Sequence, residues 1–126
     1  MRVCIRFVSK ISDDVIKINL YTEGLNNKVD ENVEIVLYRV IQECVNNVIK
    51  HAQANKLDIS LIKEGSEISV TVEDNGKGFD TSDSSKFEGV GLKSITTRVN
   101  YLKGTVEWDS SPGRGTVVSI QIPVNS

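Results

Sequence analysis

Cysteine, histidine and long apolar runs are scarce in this sequence, and each shortage removes a class of protein. The two cysteines, Cys4 and Cys44, lack the spacing of a disulfide framework or a metal site, and the single histidine is His51. Cys44 falls inside an apolar helical pattern, which predicts a buried thiol and suits a reducing cytoplasm. No apolar run approaches the roughly 20 residues that cross a bilayer. The first residues lack the charged, apolar and small-residue order of a signal peptide. The expectation is a soluble, cytoplasmic chain without direct membrane contact. Basic residues number 15 against 17 acidic ones, with no basic run, so nothing marks a surface for nucleic acid or anionic lipid. An anionic ligand must then be small and locally held. Repeats and low-complexity linkers are missing as well, and 126 residues suit one domain, spanning the whole chain, whose core needs no disulfide or structural metal.

What is present is clear periodicity. Arg2 to Val8 and Val15 to Tyr21 alternate as two early strands at one edge of a sheet. From Asp30 to about Ala54, the apolar residues Val33, Leu37, Val40, Ile41, Cys44, Val45, Val48 and Ile49 recur at three and four, which predicts a long amphipathic helix. Asp30 can cap it, and Glu31 and Glu34 suit its positive end. "LDISLIKEGSEISVTVED" reads as a hairpin turned at Glu64 to Ser66, with Ile68, Val70 and Val72 on one face. Gly91 to Leu102 predicts a second helix stopped by Gly104. "GTVEWDSSPGRGTVVSIQIP" reads as a closing hairpin turned at Ser111-Pro112-Gly113 and ended by Pro123. Strands with only two helices, unevenly spaced, predict an α+β fold with helices layered on one sheet face.

Three stretches carry chemistry. "VEDNGKGFD", Val72 to Asp80, places an acid and two glycines behind a strand. A hairpin turn should lead into a second alternating strand, yet Phe79 leads into the polar, unpatterned Asp80 to Gly89 stretch. Gly76 and Gly78 instead leave bare backbone that a flat ligand can approach while Asp74 accepts a hydrogen bond. On the long helix, Arg39, Glu43, Asn46, Asn47 and Lys50 share a polar face. Asparagine costs a helix about half a kcal/mol against alanine, so two in mid-helix need a reason. Solvent exposure is one. The other is that Glu43 and Asn47 offer oxygens to a hard cation or its waters, with Lys50 a turn further for phosphate. "EGVGLKSI" brings two glycines into a helix start, where free amides and the helix dipole favour an anion. It matches neither the common ATPase phosphate loop nor a dinucleotide fingerprint, since Leu92 precedes Lys93 and Ser94 stands where a third glycine belongs.

In this order the stretches resemble the ATP-binding domain of bacterial sensor histidine kinases, in the superfamily shared with gyrase, mismatch-repair ATPases and a heat-shock chaperone. The likeness runs from about Arg2 to Val124. "LYRVIQECVNNVIKHA" is similar to the family's N box, "DNGKGF" to its first glycine box, "GVGLKSI" to its second and "SSPGRGTVVSIQIP" to its closing segment. The N-box form, short lid and "GVGL" most resemble the subclass that includes the nitrate sensors. The resemblance implies a Bergerat-type sandwich with a mixed, mostly antiparallel sheet, and ATP with Mg²⁺ as ligands. Asn47 would ligate magnesium, and Glu43 would orient a water or polarise the reacting group. Lys50 and His51 would lie near the phosphates, and Asp74 would accept from the adenine amino group. Gly76 and Gly78 would let the base approach, and Thr116 would complete that pocket. The amides of Gly89, Val90, Gly91 and Leu92 would meet the phosphates, with Gly89 and Gly91 hinging a lid over Asp80 to Glu88.

The resemblance also implies a phosphoacceptor histidine on a helical dimerisation domain, with a response regulator downstream, and leaves open whether the parent protein is anchored in the inner membrane. His51 lies inside the N box and is not read as that phosphoacceptor. The expectation is therefore an excised catalytic domain, monomeric, that binds ATP without completing autophosphorylation. Two alternatives stay open: a serine kinase of the anti-sigma-factor type, and a nucleotide-binding module without catalysis. Trp108 is read as packing on the sheet, and Lys77 and Lys86 as solvated.

Overall fold

The computed structural model describes residues 16–24, 29–78 and 92–124, with backbone alone at His51 and Ala52. The expected strand at Arg2 to Val8, the Asp80 to Glu88 loop and Gly89, Val90 and Gly91 lie outside the described residues.

The first strand, β1, runs Lys17–Glu23, two residues later than the alternation suggested. Helix α1 follows over Glu31–Asn47. Asp30 caps it in extended conformation, its carboxylate accepting from the Asn32 amide at 2.8 Å, and Glu31 and Glu34 occupy the first turn as expected. The apolar stripe buries Leu37, Val40, Ile41, Cys44 and Val45. The α-helix is shorter than expected, because Val48–Ala52 widens into a π-helical turn and Gln53 then leaves it in left-handed conformation. Ile49, expected in the stripe, is 47 % exposed. At 100° per residue it lies roughly 100° around the helix from the Leu37–Ile41–Val48 direction, at the margin of the buried face.

Strands β2, Lys56–Glu64, and β3, Glu67–Asp74, form the expected hairpin. Helix α2 is Leu92–Tyr101, and the closing hairpin pairs β4, Thr105–Ser110, with β5, Thr116–Pro123. At the end of α2 the left-handed residue is Lys103, not Gly104. Gly104 is small for a different reason: a Cβ there would meet the Gln121 carbonyl oxygen at 2.5 Å.

The five described strands lie in the order β1-β2-β3-β5-β4, with β1 parallel to β2 and every other pair antiparallel. The sheet is thus mixed and mostly antiparallel, in an α+β sandwich. Register decides which side becomes core: Ile59 opposes Val72, which opposes Val118, and Leu61 opposes Val70, which opposes Ile120. These alternate residues all face the layer supplied by α1 and by Leu92, Ile95 and Val99 of α2. Trp108 opposes Val118 and packs against that core, as expected. The polar partners between them, among them Asp58, Ser60, Thr71 and Ser119, turn the other way, so one sheet face buries apolar area and the other meets water. Among the described residues no helix is long and apolar enough to cross a membrane.

Candidate functional site

The core ladder ends at one rim of the sheet, and Asp74 is its last residue there. Asp74 is 8 % exposed and is the one charged side chain in the buried set among the described residues. Its register partner is Thr116. The Gly76 amide donates to Asp74 Oδ1 at 2.8 Å, and the Thr116 amide also hydrogen-bonds to the carboxylate. Burial pushes the carboxyl above its usual range, the two amides oppose that shift, and Glu73 adds slightly to it. A buried acceptor supported by amides, at the open end of a strand, can read a donor on a flat ligand.

The backbone around Asp74 is fixed by three loops meeting. Asn75, which the sequence presents only as a turn residue, latches the loop to the entry of β2. Its Oδ1 accepts from the Asn55 and Lys56 amides at 3.1 Å each, and its Nδ2 donates to Asn55 Oδ1 at 2.6 Å. On the other side the Gly113 amide donates to the Lys77 carbonyl at 2.6 Å. Gly78 has φ +64, and a Cβ there would run into the Ser111 carbonyl at 2.1 Å. Gly115 has φ +77, and its Cβ would meet the Asp74 carbonyl at 2.3 Å. Both positions thus have a packing reason for glycine in addition to the ligand-approach reason expected at Gly78. Thr116 Oγ1 lies 2.8 Å from Ser110 Oγ, which also donates to the Gly115 carbonyl at 3.0 Å, so Ser110 orients the threonine hydroxyl.

The polar face of α1 divides. Arg39, Asn46 and Lys50 are exposed, whereas Glu43 and Asn47 sit half-buried on its shoulder, at three and seven residues from the buried Val40. At 100° per residue Asn47 lies about 20° and Glu43 about 60° from Val40, against about 80–120° for Lys50, Arg39 and Asn46, so the five share one polar face graded toward the apolar stripe. Asn47 Nδ2 is buried with no hydrogen-bond partner among the described residues. Buried amides are normally satisfied, so this group stands out among the described residues. Glu43 Oε1 accepts from Ser94 Oγ at 3.2 Å and lies 3.8 Å from Arg98 Nη2, both on α2. Cys44, next to Glu43, is buried as expected. Burial, helped by the Glu43 charge, pushes its thiol up to about 12, so it stays protonated and inert.

Leu92, the fourth residue of the second glycine box, opens α2 with its side chain buried and its amide in the first turn, where amides lack helical partners. Lys50 lies in the π-helical turn, exposed. The His51 side chain and the Gly89, Val90 and Gly91 amides lie outside the described residues. Sequence reasoning missed Asn75, Ser94, Arg98 and Ser110. The polar partners of Ser94 and Asn75 lie 51 and 20 residues away, beyond any local pattern.

An amide-supported acid at a strand end, a half-buried carboxylate and carboxamide on a helix, and a second helix opening beside them define a nucleotide-binding ATPase domain. The chain belongs to the histidine kinase-, DNA gyrase B- and HSP90-like ATPase family, whose profile matches residues 32–126. Within that family it matches the ATP-binding catalytic domain of sensor histidine kinases. It is 36 % identical over 109 residues to the oxygen sensor histidine kinase NreB of Staphylococcus carnosus, covering 86 % of this chain and 31 % of that protein. It is 38 % identical over 104 residues to the signal transduction histidine-protein kinase/phosphatase DegS of Brevibacillus brevis, covering 82 % of this chain and 26 % of that one. The chain therefore spans less than a third of the length of these relatives. Among solved structures, the histidine kinase domain of a blue-light-activated histidine kinase from Erythrobacter litoralis superposes with a TM-score of 0.74 at 26 % identity, covering 96 % of this chain and 59 % of that one.

Proposed function

We propose that this chain holds Mg-ATP between β3 and α1 and donates the γ-phosphoryl group to a histidine on a separate helical domain, for relay to a response regulator. The observation that carries this reading is the pairing of two features: a buried, amide-supported Asp74, and an Asn47 Nδ2 that is buried with no hydrogen-bond partner among the described residues. Asp74 would accept from the adenine amino group, with Gly76 beneath the base and Thr116 beside it. Asn47 would ligate magnesium through its oxygen once the amide is turned. Bound magnesium neutralises the triphosphate charge. Among the described residues no group of three or more metal-ligating acids, cysteines or histidines forms, so the cation would rely on Asn47, water and the phosphates. Lys50 would add a positive charge near them, and Leu92 an amide.

The chain's own residues supply positioning and charge more than covalent chemistry, which is what phosphoryl transfer asks of a protein. Glu43, a turn before Asn47, has a carboxylate oxygen to orient a water or polarise the acceptor. The test joins this domain to its histidine-bearing helical segment and supplies γ-labelled ATP with magnesium. Acid-labile, alkali-stable label on the helical segment is expected. Acid-stable label would overturn the reading in favour of a serine kinase, and no label despite tight ATP binding would favour a binding module.

A further inference from the structure

We propose that Ser94 and Arg98 of α2 are positioning residues that grip Glu43 by one oxygen and leave the other for the reacting group; this rests on the role proposed for Glu43 above. Ser94 Oγ donates to Oε1 at 3.2 Å, and Arg98 Nη2 lies 3.8 Å from the same oxygen. The two residues are one turn apart on α2 and converge across the interface between the helices, so one carboxylate oxygen takes both the hydrogen bond from Ser94 and the ion pair with Arg98. Both contacts that the described residues show to this carboxylate are to Oε1. A carboxylate held on one side only keeps a defined rotamer while offering a free acceptor.

Two further observations separate this from an incidental surface ion pair, which contributes little by itself. Thr96 and Thr97 turn their hydroxyls back onto their own helix, to the Leu92 and Lys93 carbonyls at 3.0 and 2.9 Å, whereas Ser94 reaches across to α1. The Arg98 Nε is buried with no hydrogen-bond partner among the described residues. Burying that donor is unfavourable, and a lysine would place a charge here without it. Arginine at this position is accounted for if the planar guanidinium, wedged at Nε, must aim Nη2 at Glu43. The pair also lies just beyond Leu92, so the helix that opens at the proposed phosphate site is the helix that holds Glu43.

The test is a double-mutant cycle in the full-length kinase carrying this domain, measuring kcat and KM for ATP in histidine phosphorylation, with thermal melting of each variant. Misplacing a reacting group by about an ångström can cost on the order of a hundredfold in rate, so Arg98→Gln is expected to lower kcat by about ten- to a hundredfold with KM nearly unchanged. Ser94→Ala should lower kcat by a smaller factor in the same direction, and Arg98→Lys should recover part of the loss. In a Glu43→Gln background, Arg98→Gln should cost less than about twofold more, since residues acting through one group are not additive. Fully additive losses, or a KM rise that persists in the Glu43→Gln background, would overturn the proposal; the second result would make Arg98 a nucleotide contact. If Arg98→Gln fails to fold, Ser94→Ala and Arg98→Lys decide by the same cycle. A crippled Glu43→Gln beside unaffected Arg98 and Ser94 variants would sink this inference alone, whereas an unaffected Glu43→Gln would sink the role of Glu43 with it.

Discussion

Among the described residues the supporting contacts at Asp74 come from main-chain amides, whereas at Glu43 they come from side chains and at Asn47 Nδ2 there are none. The first region is a corner of three loops, cross-bonded by Asn75 and by the Gly113 amide, in which the Asp74 carboxylate is held by the Gly76 amide. The second is a helix shoulder where Asn47 Nδ2 is buried without a hydrogen-bond partner among the described residues and Glu43 is held by two residues of α2. A main-chain site is preorganised but intolerant of added atoms, because its geometry is the fold itself. A side-chain site tolerates truncation of the fold-neutral kind but loses its ligand with the atom removed. The base end of the proposed pocket should therefore couple binding to stability, and the phosphate end should not.

The sharpest way to break this contrast is to add one methyl group to the corner. Gly78→Ala forces a Cβ into the Ser111 carbonyl at positive φ, and should cost about 2–4 kcal/mol of stability in denaturant unfolding. ATP affinity should fall with it. A variant as stable as the wild type would show that the corner can give way. Asn75→Ala removes the latch to Asn55 and Lys56 and leaves their amides to seek water; about 1–3 kcal/mol of stability is expected to go, again together with ATP affinity.

At the shoulder the outcomes should part company. Asn47→Ala deletes an amide nitrogen with no hydrogen-bond partner among the described residues, so melting should move little or upward. Mg-ATP affinity should nonetheless fall by about tenfold, and the difference between magnesium and chelator titrations should vanish. Equal losses of stability and affinity would erase the distinction between the two regions.

The smallest effect concerns pH. Burial raises the Asp74 carboxyl, so the folded state binds that proton more tightly than the unfolded state does. The resulting stabilisation is fully present below the ordinary carboxylate range and is lost as pH rises through the raised folded value. Ionised Asp74 is then a cost to the free domain at neutral pH. Asp74→Asn should melt no lower than the wild type at pH 7, and this relative advantage should disappear in acid. ATP affinity of the wild type should begin to fall on acidification above the range usual for a carboxylate. An Asp74→Asn variant that loses stability at neutral pH would contradict the assigned shift.

The same contrast explains how much could be read from the sequence. The α1 stripe, the two hairpins and α2 follow from periods of 3.6 and 2, and Asp74, Gly76 and Thr116 sit on those elements at legible places. The parallel pairing of β1 with β2 is set by tertiary packing and leaves no local mark. Asn75 looks like any turn asparagine until Asn55 is brought beside it. Ser94 and Arg98 look like solvated helix positions until α2 crosses α1. The end of α2 misleads in a different way: a glycine after a helix is usually the left-handed residue, but here Lys103 takes that conformation and Gly104 is needed for its lack of a side chain. On the α1 polar face angular spacing marks Asn47, about 20° from Val40, but does not separate Glu43 from Lys50, about 60° and 80° away.

The central claim is that Asp74 is a preorganised acceptor for adenine. Calorimetric titration of ATP with magnesium into this chain, beside its Asp74→Asn variant, addresses it most directly. Binding by the wild type that weakens by about ten- to a hundredfold in a variant of unimpaired stability is the predicted result, since a lost acceptor leaves a donor on the base unpaired. Equal affinity in the two proteins would contradict it and move the base-reading role away from the β3 corner.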